Sequence, residues 1–243
     1  NTRIIVALTG DEENPGRPVE VSRRDLIEAG RRSDIALGFE ASVRDLRTAT
    51  IARRGASEWT LEVTAKPAHS SGIFRPGISP GAIFEATRIL DTFYSQLRGE
   101  EYLTFNPGTI LGGTSVDYDS QANRGTAFGK TNIIAETAVV HGDLRFLSEE
   151  QKERAREKMR AIVALSLPGT ESEISFRDGY PAMFPTDGNH DLLAQFEGVS
   201  RDLGFGDLEI LDPGKRGAAD ISFVAADVEA SLAGLGVVGW KGH

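Results

Sequence analysis

Two styles of apolar patterning share this chain, and their order along it constrains the fold more than any other feature. The run Ile4-Ile5-Val6-Ala7-Leu8 is continuous, the pattern of a strand buried on both faces in a helix-covered parallel sheet. From about residue 51 the period changes. Trp59, Leu61, Val63 and Ala65 alternate with Glu58, Thr60, Glu62 and Thr64, which describes a sheet with one wet face. After about residue 180 the first style returns, closing on Leu235-Gly236-Val237-Val238. A domain of one style is therefore expected inside a domain of the other, with 1–50 and 181–243 forming the outer domain and 51–180 the insert.

The elements follow from periodicity and caps. A buried strand is expected over 3–9, a helix over 23–31 with Ser22 as N-cap, and a short strand over 34–39. In the insert, Ser79-Pro80 opens a helix with the apolar stripe Ile83, Ala86, Leu90, Phe93 and Leu97, stopped by Gly99. The capping box Ser148-Glu149-Glu150-Gln151 opens a second, with Ala155, Met159, Ile162 and Val163 inward. Strands fit 102–111, 133–146 and 171–177. The order strand, helix, strand, strand, helix, strand is the split βαβ, ferredoxin-like layout. Beyond it come a helix over 189–203, a strand over 208–211, a helix over 219–226 and the final strand. The chain begins at Asn1 inside an apolar run, so it reads as a fragment of a longer protein.

Composition narrows the function classes. With 27 Lys+Arg against 36 Asp+Glu the net charge is −9, which argues against a nucleic-acid partner held by a basic surface. No apolar run approaches the ~20 residues of a membrane span. The absence of cysteine excludes disulfides, thiolate metal sites and a cysteine nucleophile. No signal peptide is visible. A soluble protein is expected, cytoplasmic or periplasmic, with the compartment left open.

Asp11-Glu12-Glu13 carries the strongest chemical signal. Three acids at the carboxyl end of a buried strand repel one another, at the sheet edge where ligands of α/β proteins gather. They form either a solvated acidic turn or a cation site, where one carboxylate ligates and its neighbour deprotonates bound water. Glu40 ends the next strand and His243 follows the last, and parallel strands would bring both to that edge. Imidazole with carboxylates is a zinc donor set. His69, in Lys66-Pro67-Ala68-His69-Ser70, is a turn residue or a donor to a substrate oxygen. His141 and His190 read as structural. Gly112-Gly113 lacks the Lys-Ser/Thr of a phosphate loop.

Thr9-Gly10-Asp11-Glu12-Glu13, Phe39-Glu40, Lys66-Pro67-Ala68-His69-Ser70, Asn132-Ile133-Ile134, Gly142-Asp143-Leu144-Arg145 and the closing Gly-rich turn to His243 occur in the order found in one family. The chain resembles the zinc aminoacylase/glutamate carboxypeptidase metallopeptidases, with succinyl-diaminopimelate desuccinylase and peptidase T-like relatives. The resemblance implies an α/β fold, a zinc-exopeptidase-like sheet covered by helices, with an inserted ferredoxin-like α+β lid that dimerises. It implies two Zn2+ ions per intact site, held by Glu13, Glu40 and His243. Glu12 resembles the general base, and His69 the lid histidine that reaches into the partner's site. Asn132 and Arg145 resemble substrate-carboxylate residues. The family's Gly-Gly-Thr/Ser-Asp substrate loop stands here as Gly217-Ala218-Ala219-Asp220. The family's upstream His-x-Asp and bridging Asp are not in this chain, and Ala135 replaces its usual Pro. The implied activity is hydrolysis of amide bonds in small peptides or N-acyl amino acids by a homodimer, with the fragment alone inactive. The other class left open is a non-catalytic homologue, or a dimerising binding domain with relic acids.

Overall fold

The computed structural model describes residues 2–12, 15–42, 47–120 and 122–237. In chain order the elements are α1 (Val19–Ser22), α2 (Arg24–Gly30), β1 (Ile35–Leu37), β2 (Thr48–Ala49), β3 (Gly55–Ala65), α3 (Ala82–Leu97), β4 (Thr104–Gly113), β5 (Ser115–Asp119), β6 (Arg124–Phe128), β7 (Thr137–Phe146), α4 (Glu149–Val163), β8 (Thr170–Asp178), α5 (Asp187–Asp202), β9 (Glu209–Ile210) and β10 (Ala230–Leu232). They form two compact units. The first comprises Asn1–Ala56, Phe146–Glu149 and Gly179–His243, and the second Ser57–Arg145 and Glu150–Asp178. The chain is thus mixed α/β with an inserted α+β domain. No helix among the described residues is long and apolar enough to cross a membrane.

The second unit is the ferredoxin-like sandwich. Its sheet has the order β4-β7-β3-β8, and β3 pairs antiparallel with β8 from Ser57↔Asp178 to Ala65↔Thr170. Trp59, Leu61 and Val63 are buried, and so are Ala86, Ile89 and Phe93 of α3 and Ala155 and Met159 of α4. Trp59 meets Phe93 edge-on at 5.9 Å, and its Nε1 donates to the Asp143 carbonyl at 2.9 Å. Gly142 is required beside this indole, because a Cβ there would stand 2.3 Å from both Trp59 and the Asn106 carbonyl. Helix α3 also buries a carboxylate. Glu85 accepts from Arg88 Nη2 at 2.7 Å, Arg88 Nε at 2.9 Å and the Leu167 backbone N–H at 3.3 Å, so its charge is matched inside the unit.

Two local expectations change here. The N-cap of α3 is Gly81, at φ +93°, rather than Ser79, whose hydroxyl accepts from the Gly81 N–H at 3.1 Å. The β5–β6 hairpin was not foreseen. Its residues are exposed or half-exposed, so burial leaves no apolar signature.

The first unit holds two parallel pairs, β1 with β10 and β2 with β9. Helix α5 carries an N-cap Thr186 and a fully satisfied buried amide. Asn189 Nδ2 donates to the Ile51 carbonyl at 2.9 Å, while its Oδ1 accepts from the Ser231 N–H at 2.7 Å. Apolar clusters form around Ile51, Leu193 and Leu232 and around Met183, Ile221 and Val224.

Four expectations in this unit are corrected. Residues 3–9 form no strand, and Ile4, Val6 and Leu8 are 81%, 75% and 91% exposed. Continuous apolar character requires ladder partners on both sides, and among the described residues this run has none. The helix expected over 219–226 is a 3-10 turn, Asp220–Phe223. The last strand is Ala230–Leu232, which precedes the expected run at 235–238. Ser22 does not cap α2, since its hydroxyl donates back to the Val19 carbonyl at 3.1 Å.

Candidate functional site

Arg23 organises the first unit's polar centre. Its side chain is wholly buried between α1 and α2, and it gathers three distant segments. Nη1 donates to Asp11 Oδ1 at 2.7 Å and Nη2 to the Asp11 carbonyl at 3.2 Å. Nε donates to Asp220 Oδ1 at 2.8 Å, and Nη2 reaches the Tyr180 hydroxyl at 3.2 Å. The Tyr180 hydroxyl in turn lies 3.0 Å from the Glu12 carbonyl and 3.2 Å from Asp220 Oδ1, so it serves both acceptors with one hydrogen. The acidic turn is therefore gripped through Asp11 and through the Glu12 backbone.

The electrostatics follow these contacts. The Gly16 N–H, assisted by Arg23, holds the Asp11 carboxyl below its ordinary value. Burial pushes the Tyr180 phenol up to about 12, with Asp220 adding to the effect. Burial works against the Arg23 charge, yet Tyr180 and Asp220 outweigh it and its pKa rises.

Glu40 belongs to a second cluster. Its Oε2 accepts from Arg53 Nη2 at 2.6 Å and from Arg216 Nη2 at 3.4 Å. Arg53 is almost fully buried, and its Nη1 also donates to the Gly217 and Ala218 carbonyls at 3.3 and 3.4 Å. Glu12, Glu40 and Asp220 line one cavity of about 640 Å³, together with apolar residues such as Leu26, Ile35 and Val224.

Of the expected metal ligands, Glu13 and His243 lie outside the described residues. Among the described residues no group of three or more His, Cys, Asp or Glu is arranged to hold a metal. The three carboxylates on the cavity are hard oxygen donors, and Asp220 Oδ2 is buried without a hydrogen-bond partner, the kind of oxygen a cation satisfies.

The expected lid residues fall in the second unit. His69 is exposed. Its Nδ1 accepts from the Ser71 N–H at 3.2 Å and lies 2.8 Å from the Ser71 hydroxyl. The His69↔Ile133 bridge and the bond from the Ser70 N–H to the Asn132 carbonyl, 2.9 Å, bring His69 and Asn132 together. Arg145 is not brought to them. It pairs with Asp143 at 2.9 Å near the far end of β7, and Thr137 to Arg145 spans roughly 27 Å of strand at ~3.4 Å per residue.

Sequence reasoning missed Arg23, Tyr180, Arg53 and Arg216. The only available signal for Arg53 is its place directly after the buried pair Ile51-Ala52, and Arg23 looks like any helix-start arginine.

Comparison with known proteins agrees with this architecture. Residues 51–171 match the M20 peptidase dimerisation domain. Among curated proteins the sequence finds no match. Among solved structures it is similar to the aminopeptidase PepT of Bacillus cereus, with 17% identity and a TM-score of 0.69, covering 93% of this chain and 54% of that one. It is similar to a tripeptidase of Staphylococcus aureus at 18% identity and TM-score 0.59, covering 85% and 52%. An aminobenzoyl-glutamate utilization protein of Klebsiella pneumoniae matches at 15% identity and TM-score 0.57, covering 90% and 53%. At such identities the likeness is one of fold, and the chain spans about half the length of these structures. Residues 51–171 thus belong to the M20 peptidase dimerisation domain family, and over most of its length the chain shares the fold of these solved structures.

Proposed function

We propose that the whole protein of which this chain is part hydrolyses amide bonds of small peptides or N-acyl amino acids, as a zinc-dependent homodimer joined through the second unit. The first unit, with its outer boundaries near 50 and 181, would be catalytic, and 51–180 would be the lid. The observation that carries this reading is the cavity lined by Glu12, Glu40 and Asp220, in a chain carrying a peptidase dimerisation domain. The solved relatives include an aminopeptidase and a tripeptidase, whose reaction class is the one proposed.

Glu13, Glu40 and His243 would hold the metals. Zinc bound there would supply Lewis-acid activation of water. Glu12 would take a proton from the attacking water and deliver it to the leaving amine. Its backbone is already fixed by Tyr180, so its carboxylate starts from a held turn rather than a loose one. His69 donates to the developing oxyanion from a partner subunit. Asn132, beside His69, would grip the substrate carboxylate and Asp220 would border the substrate, whereas Arg145, paired with Asp143 at the far end of β7, would not share that carboxylate with Asn132.

The test is a panel of dipeptides, tripeptides and N-acyl amino acids offered to the full-length protein with zinc analysis. Hydrolysis of one class with stoichiometric zinc is expected. No hydrolysis with any divalent metal would favour the non-catalytic reading, in which the Glu40–Arg53 ion pair is simply structural.

A further inference from the structure

Tyr180 is fixed at both ends, and the two ends serve different parts of the first unit. The chain leaves that unit after Ala56 and makes its last return at Gly179. The two segments pair there. The Gly179 N–H donates to the Ala56 carbonyl at 3.1 Å, and the Ala56 N–H donates to the Tyr180 carbonyl at 2.8 Å. Further along, Arg53 and Met183 exchange backbone bonds of 2.8 and 3.0 Å. The pairing is close, since a Cβ on Gly179 would stand 2.8 Å from the Ala56 oxygen. The backbone of Tyr180 is thus part of the crossing between the units.

Its side chain belongs to the acidic turn. The ring meets Phe223 at 4.8 Å between centroids, on the 3-10 turn that also carries Asp220. The phenol has one hydrogen and two acceptors in reach, the Glu12 carbonyl at 3.0 Å and Asp220 Oδ1 at 3.2 Å. Arg23 decides between them. Its Nε already supplies Asp220 Oδ1 at 2.8 Å, and its Nη2 donates to the phenol oxygen at 3.2 Å. A donor bonded to the phenol oxygen polarises the O–H, whose hydrogen goes chiefly to the nearer and less supplied acceptor, the Glu12 carbonyl.

We propose that Tyr180 is a positioning residue that ties the turn carrying Glu12 to the paired segments at the crossing, so that the way the second unit is attached sets where the base stands. The task of Glu12 rests on the proposed function, whereas the link from crossing to turn does not. Tyr180 touches no reacting atom in this scheme. It acts through the Glu12 backbone, and a small displacement of a base is enough to slow proton transfer.

The link is read in the 243-residue chain without metal, from the carbonyl 13C resonances of Asp11 and Glu12. Tyr180→Phe keeps the ring on Phe223 and removes only the hydroxyl. It moves the Glu12 carbonyl upfield and leaves that of Asp11, which Arg23 Nη2 holds, in place. Gly179→Ala forces the Ala56 carbonyl to shift, and this displaces the Glu12 resonance in the native background but not beside Tyr180→Phe. In the full-length protein Tyr180→Phe lowers kcat roughly tenfold, with KM within about twofold of native and zinc content unchanged. A Glu12 resonance unmoved by Tyr180→Phe overturns the link, and so does one that Gly179→Ala moves equally in both backgrounds. If Gly179→Ala does not fold, the Tyr180→Phe shift decides. An unchanged kcat overturns the positioning role, as does a fall in kcat accompanied by lost zinc or a raised KM, which marks a merely structural residue. A protein without turnover whose Glu12 carbonyl still moves removes only the proposed function, and turnover with an unmoved carbonyl removes only this link.

Discussion

Replacing Arg23 by Met keeps most of its volume and deletes one wholly buried charge with all its contacts. Asp220 is 15% exposed and has one oxygen already unpartnered, so losing Arg23 leaves it buried and unpaired, a change that costs about 3–5 kcal/mol. Asp11 is 44% exposed and can turn to water, so its pair adds little. The contact with the Tyr180 hydroxyl adds about 1 kcal/mol. The first unit should therefore lose about 4–6 kcal/mol, a large share of the ~5–15 kcal/mol typical of a domain. Hydrogen exchange in urea, read by mass spectrometry on peptides from residues 2–56 and 179–237, reports this unit alone. Adding Asp220→Asn removes the orphaned charge and should recover at least half of the loss, roughly 2 kcal/mol or more. Arg23 does not act as a hub if Arg23→Met stays within about 1 kcal/mol of the native chain, or if Asp220→Asn deepens the loss instead of relieving it.

Three further outcomes follow from the same contacts and from the proposed chemistry. The Tyr180 phenol is raised from 10.0 to about 12, so its contribution is complete below the unfolded value and is lost as pH climbs through the folded one. Urea midpoints measured below and above that window should fall further for the native chain than for Tyr180→Phe, and equal falls would contradict the assignment. In the full-length protein His69→Ala should cut turnover on the order of a hundredfold or more while zinc content stays unchanged. Mixed dimers of the His69→Ala and Glu12→Gln proteins should regain activity, and no recovery would place the histidine's action within its own subunit.

What could be read in advance follows from how local each signal is. Helices α3 and α4 bury stripes spaced at the helical period, and the alternation in β3 marks one buried face, so the sandwich was visible from neighbouring residues alone. The run 3–9 misled because pattern reports the partners a strand wants and not those it has. The polar centre was hidden for a related reason. Arg23 meets Asp220 across 197 residues, and Arg53 meets Arg216's loop across 164, and neither arginine is marked by its own neighbours. Buried arginines are rare enough that a pattern reading assigns them to the surface. Glu12 and Glu40 could be singled out because an acidic triple and a strand end are themselves local signals, and both residues line one cavity.

The whole account comes down to whether Glu12 moves protons at a metal-bound water. Glu12→Gln in the full-length protein keeps the size and the backbone carbonyl that Tyr180 holds, and removes only the basic oxygen. Measured beside native protein on the substrate the panel identifies, it should retain its zinc and lose turnover by several orders of magnitude. Native-level hydrolysis by Glu12→Gln would contradict the assignment of the base and, with it, the catalytic reading of this cavity.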